Sequence, residues 1–129
     1  MEQDKAIGLL GLARKAGKLQ TGEETVGVML LEKHARLTVL ARDAGAAVSR
    51  KVRGLAEGTR QRVLEIPYDK LTLGAALGKA SVSVAAFADV SMALAFAKAL
   101  PAGSVPLSAA PPAQGWLQGT AVRELEVKI

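Results

Sequence analysis

Apolar residues recur at helical spacing from the start of the chain. Ala6, Leu9, Leu10, Ala13 and Ala16 share one face of a first helix, which Asp4 is placed to cap and Gly17 to stop. Lys18 to Gln20 reads as a short extended link. Thr21 and Glu24 then fit a capping box, in which the threonine side chain accepts the N–H of Glu24 and the glutamate reaches back to the N–H of Thr21. The helix they open is expected to run to about Lys33. RLTVLA (36–41) is apolar with little alternation, as in a strand covered on both faces. Residues 46–57 return to helical spacing, with Val48, Val52 and Leu55 inward, Arg50, Lys51 and Arg53 toward solvent, and Gly58 as the stop. VLEI (63–66) and VSVAAF (82–87) read as strands. Between them Asp69 caps a short helix to Leu77, and Asp89 or Ser91 starts a last helix that Pro101 ends.

Helices and strands alternating at this spacing predict the α/β class, a three-layer α/β/α sandwich with a mixed central sheet. A chain of 129 residues suits one such domain, assigned here to 1–100. From 101 to 129 the composition shifts to Pro, Ala, Gly and Ser, as in a linker or wrapped tail. Leu125, Val127 and Ile129 then alternate with Glu124, Glu126 and Lys128. That short amphipathic strand is suited to pair with a sheet edge or with another copy of the chain as a homo-oligomer.

Composition narrows the chemistry. The absence of cysteine removes disulfides, thiolate catalysis and Cys-based zinc sites. Only four residues are aromatic, so base stacking cannot be the main binding mode. No secretory signal and no run long enough for a membrane span are evident, which gives the expectation of a soluble cytoplasmic protein. The net charge is +5, and residues 33–62 hold eight basic side chains against Asp43 and Glu57. A surplus of six there suits either a solvated helix face or a surface for phosphates.

No catalytic constellation stands out. Gly8, Gly11 and Gly17 do not lie between a strand and a helix, as a dinucleotide fingerprint requires. His34 is the single histidine, without Cys or a second His to complete a transition-metal site, and reads as a cap on a basic helix end. No enzyme activity, metal or cofactor is therefore expected. The start of the second helix at 21–25 remains. Its N–H groups serve either an internal cap or acceptors on a ligand, and its two glutamates suit base N–H donors better than bare phosphate.

Four segments, in order, carry a resemblance: GLLGLARKAGKLQTGEETV, RLTVLARDA, IPYDKLTLGAALGK and VSVAAF. Over about residues 5 to 100 the chain resembles the ribosomal protein L-seven-Ae / L-thirty-e family, most closely its bacterial YlxQ-type branch. The resemblance implies the α/β/α sandwich and an RNA-binding, ribonucleoprotein role, with rRNA or another kink-turn RNA as partner, association with the ribosome, and no membrane. In the family a glycine opens the second helix and is followed by x-Asn-Glu-x-x-Lys, whose side chains meet the G·A pairs of the kink. Gly22 matches the glycine, Glu23 the free position, Glu24 the Asn, Thr25 the Glu and Val28 the Lys. Three of these side chains therefore depart from the family pattern. Lys70, ahead of Leu73 and Gly74, matches the family lysine, Gly78, Lys79, Ala80 and Ser81 match the following loop, and Asp43 matches the acid after the second strand. Lys18 completes the implied RNA-binding set, with Lys18, Lys70 and Lys79 on phosphates. The rival expectation is a protein-interaction or regulatory module of the same fold that has lost specific RNA recognition.

Overall fold

The computed structural model describes residues 4–101 and 103–107. Its elements run α1 (Lys5–Lys15), β1 (Leu19–Thr21), α2 (Glu23–Leu31), β2 (Leu37–Leu40), α3 (Ala46–Thr59), β3 (Val63–Glu65), α4 (Lys70–Leu77), β4 (Val84–Phe87), α5 (Val90–Ala99) and β5 (Val105–Pro106). The sheet order is β1-β4-β2-β3-β5. Only β2 and β3 are parallel; β1 with β4, β4 with β2, and β3 with β5 are antiparallel, so the sheet is mixed.

Each sheet face carries its own core. Leu37, Val39, Leu64, Ala85 and Phe87 pack with Ala6, Leu10 and Ala13 of α1, Leu73 and Leu77 of α4, and Phe96 of α5. Leu40, Val63, Val84 and Ala86 pack with Val26 and Leu30 of α2 and Val52 and Ala56 of α3. The chain is thus a three-layer α/β/α sandwich, and β2, buried along its whole length, lacks alternation because both faces are covered. The alternation of the strand puts Thr38 on the α2/α3 side, where its hydroxyl is buried with no hydrogen-bond partner among the described residues.

Local signals set most boundaries. Asp4 accepts the N–H groups of Ala6 and Ile7 at 3.0 and 3.3 Å, and its second oxygen accepts the Tyr68 hydroxyl at 2.6 Å. Burial first, and this bond second, raise the ionisation of Tyr68 above the ordinary tyrosine range. Gly17 ends α1 at φ +74, a left-handed conformation that glycine adopts freely.

Other boundaries depart from the expectation. The presumed link at 18–20 is mostly strand, because Leu19 to Thr21 pair with Ala85 to Phe87 of β4. Gly58 does not stop α3, which continues to Thr59, and Arg60 takes the left-handed position at φ 59. Tertiary bonds fix that exit: the Gln61 side chain donates to the Leu30 carbonyl at 2.6 Å and accepts from the Ala35 N–H at 3.1 Å. Past residue 100 the sheet continues, since Val105 pairs with Glu65. The alternating residues 125–129 lie outside the described residues. Among the described residues no helix is long and apolar enough to cross a membrane.

Candidate nucleic-acid interface

Strand direction gathers the relevant loops. β4 starts where β1 and β2 end, with Ala85 opposite Thr21 and Val84 opposite Leu40, and β3 ends beside β2 at Glu65. The starts of α2, α3 and α4 and the 78–83 loop therefore share one edge of the sheet. Gly22 to Thr25, Asp43, Lys70, and Gly78 to Ser81 all lie there. Lys18 does not. β1 spans only three residues, so the residue before it emerges at the opposite edge, where the Lys18 carbonyl accepts the Ala88 N–H at 2.8 Å and its ammonium lies 3.9 Å from Asp89.

The start of α2 is built on glycine. Gly22 is the N-cap at φ 101 and ψ 145, backbone angles that a residue with a Cβ adopts only under strain. Its N–H donates to Val84 at 3.1 Å, and its carbonyl accepts from Val26 at 3.0 Å. No side chain among the described residues caps the helix. The expected capping box is thus absent: pairing with β4 holds Thr21 in the strand, one residue before the N-cap, so Glu24 is the second helical residue instead of the third. Glu23 lies 3.4 Å from Lys51 of α3. Glu24 and Thr25 are exposed on the first turn, and Val28, one turn further, is 51% exposed.

Two shallow depressions flank this start and share Thr21 and Lys79. One has walls from Gly22 and Glu23, Val48 of α3, and Ser81 and Ser83. The other runs along β1 past Gln20 to Gly17 and Arg14. Arg14, Gln20 and Val48 were not legible as members of this surface. They lie in three different elements, and only the β1–β4 pairing and the packing of α3 on α2 bring them to it.

The neighbouring helix start is closed. Asp43 accepts the Lys70 N–H at 2.9 Å, and Asp69 accepts the Thr72 N–H at 2.8 Å. The Thr72 bond first, with Arg42 at 3.7 Å adding to it, holds the Asp69 carboxyl below its ordinary range. Asp43 is thus engaged within the fold, tying the turn after β2 to α4. The 78–81 loop is fixed just as firmly. Gly78 turns at φ +71, the Lys79 N–H donates to Gly74 at 2.8 Å, and the Val82 N–H donates to the Lys70 carbonyl at 3.0 Å. A Cβ on Gly74 would lie 2.7 Å from the Lys79 carbonyl oxygen, so glycine there lets the loop lie across α4.

Among the described residues the edge therefore offers N–H groups without a side-chain cap, exposed side-chain acceptors and surrounding cations around two shallow depressions. Among the described residues no three His, Asp or Glu side chains cluster closely enough to hold a metal ion. His34 follows α2 with its ring 4.0 Å from the Glu32 carboxylate.

No protein-family model matches the chain. Among solved structures, the fold is similar to that of a protein with unknown function from Bacillus halodurans C, with a TM-score of 0.68 and 29% identity, over 74% of this chain and 95% of that one. The sequence is also 39% identical over 51 residues to a curated protein named RNA-binding protein YlxQ from Enterococcus faecium. That match covers 40% of this chain and 50% of the relative, so the chain spans about half the length of the curated protein it matches. The structural likeness supports the α/β/α assignment independently, and the sequence likeness supports the YlxQ-type resemblance over the aligned part.

Proposed function

We propose that this chain is a non-enzymatic RNA-binding protein of the YlxQ type that grips a kink-turn, or a similarly bent structured RNA, at the start of α2. The observation that carries the reading is the open helix start at Gly22. Among the described residues its N–H groups have no side-chain acceptor, whereas those of α4, on the same edge, are closed by two aspartates. Gly22 permits close backbone approach, Glu24 and Thr25 present acceptors to base N–H groups, and Lys79 and Arg14 meet phosphates. The partial likeness to a protein named as RNA-binding supports the same class of partner. A ribosomal RNA fits this reading as the source of such a structure.

A titration of a kink-turn RNA against a straight duplex of equal length, at two salt concentrations, tests it. Tighter binding of the bent RNA that persists at the higher salt is expected, since base contacts do not release counterions. Equal affinity for both would refute the kink-turn reading.

A second reading rests on Val28 and Leu31, 51% and 63% exposed on α2, which present apolar surface where the family pattern has a cation. On that reading α2 docks a protein partner. Val28→Lys separates the two: it tightens kink-turn binding if the helix faces RNA, and it abolishes the protein contact if Val28 is buried in one.

A further inference from the structure

The outer face of α3 is a second charged surface, distinct from the open start of α2. α3 buries Val52 and Ala56 and half-buries Val48 and Leu55 against the sheet. On its opposite side Ala46, Ser49, Arg50, Arg53, Gly54 and Glu57 line a shallow groove. Their spacing of three and four residues makes the groove run along the helix axis for about 16 Å at 1.5 Å per residue. Its floor is small. Ala46 and Ser49 have short side chains, and a Cβ added to Gly54 would meet nothing within 4 Å. Among the described residues neither Arg50 nor Arg53 has an ion-pair partner, while Lys51 on the same helix is engaged by Glu23.

Charge and shape together select the occupant. Two unpaired guanidinium groups beside a floor of small residues suit a ridge of phosphates, which arginine binds in a bidentate fork. An anionic membrane fits less well, because among the described residues the exposed large apolar ones are Leu12, Val28, Leu31, Leu71 and Val105, and none of them lies on α3 to enter the acyl layer. A protein interface would also lack its apolar or aromatic anchor. The same helix joins the groove to the edge described above: on its inner side Val48 lines the depression at Gly22, and Lys51 bridges α3 to Glu23.

We propose that the exposed face of α3 is a second RNA contact, a groove in which Arg50 and Arg53 seat the phosphate backbone of a duplex leading away from the α2 edge, without reading its sequence. The proposal rests on the RNA-binding reading but not on kink-turn recognition.

The test compares the full chain with its Arg50→Gln/Arg53→Gln variant on three RNAs: a kink-turn with one stem lengthened by about a helical turn, the same motif with trimmed stems, and a straight duplex. The variant is expected to lose about tenfold in affinity for the long-stemmed RNA, and its log K against log salt slope is expected to fall by about two. The trimmed motif should be bound as before. Equal loss on the long and trimmed RNAs, or no loss on either, overturns the proposal. So does loss of binding to phosphatidylserine vesicles with RNA binding intact. Wild-type protein that binds bent and straight RNA equally refutes the α2 reading alone, because the α3 contact is still read from the straight duplex, where the slope must fall with the variant. An Arg50→Lys/Arg53→Lys protein keeps the charge and should retain the slope, which separates lost phosphate contacts from a damaged fold.

Discussion

The two helical layers of this sandwich begin their helices in opposite ways. In the layer of α1, α4 and α5 every helix has an aspartate N-cap whose side chain accepts backbone N–H groups: Asp4, Asp69 and Asp89. In the layer of α2 and α3 the N-caps are Gly22 and Gly45, and among the described residues neither helix start has a side-chain cap. Glycine costs only a few tenths of a kcal/mol relative to a good capping residue, so an open start is compatible with a stable helix. The aspartate layer satisfies its own donors. The glycine layer leaves them facing outward, and both of its open starts lie on the sheet edge where α2 meets the 78–83 loop.

Substitutions can break this contrast from either side. The largest effect is expected at Gly74, where an added methyl must displace the Lys79 and Ala80 backbone. Gly74→Ala should cost about 3 kcal/mol in denaturant unfolding and loosen the 78–81 loop, as overpacking against backbone does. Gly22→Ala comes next. The space around Gly22 is free but its φ is +101, so a loss of about 2 kcal/mol is expected from strain alone, together with weaker RNA binding. A thermal melt that matched the wild type would show that the start of α2 is not held in this conformation.

In the closed layer, Asp4→Ala removes the acceptor for two N–H groups and the partner of the Tyr68 hydroxyl. About 1.5 kcal/mol of stability should be lost in denaturant unfolding. Thr21→Ala should change stability by less than about 0.5 kcal/mol, since its hydroxyl caps nothing. A loss of about 1 kcal/mol there would restore the capping box.

The smallest effect is a pH dependence. The Asp69 carboxyl is held below its ordinary value in the folded chain, so its contribution is present above the unfolded value of 3.8 and is lost as pH falls through the lower folded value. Asp69→Asn should therefore flatten the acid limb by lowering stability in the neutral region, where the wild-type contribution is present, while stability at the acid end stays close to that of the wild type. An unaltered acid limb would mean that the bond to Thr72 contributes nothing to acid stability.

Legibility divided along physical lines. Asp4, Asp69 and Gly17 were readable because a cap or a stop acts within four residues of itself. β2 was readable because burial on both faces imposes an uninterrupted apolar run. Thr21 misled for an equally definite reason: a threonine three residues before a glutamate is a good capping box, and only pairing with Ala85, far along the chain, places that threonine in a strand. Gly58 misled because Gln61, held by Leu30 and Ala35, decides where α3 ends. Val105 fell in a stretch rich in Pro, Ala and Gly, whose composition does not announce a strand.

The same division applies to the interface. The resemblance pointed to Gly22 to Thr25 and to the 78–81 loop, but chain order alone does not say that Lys18 leaves by the other edge, or that Asp43 is engaged in closing α4. The sequence by itself determined the five helices, the three inner strands β2, β3 and β4, the aspartate caps and the layered fold, because hydrophobic period and helix signals act over a few residues. The tertiary structure decided which helix starts stay open and which cations surround them. Those outcomes depend on strand pairings and side-chain bonds between residues far apart in the chain, which no local pattern encodes.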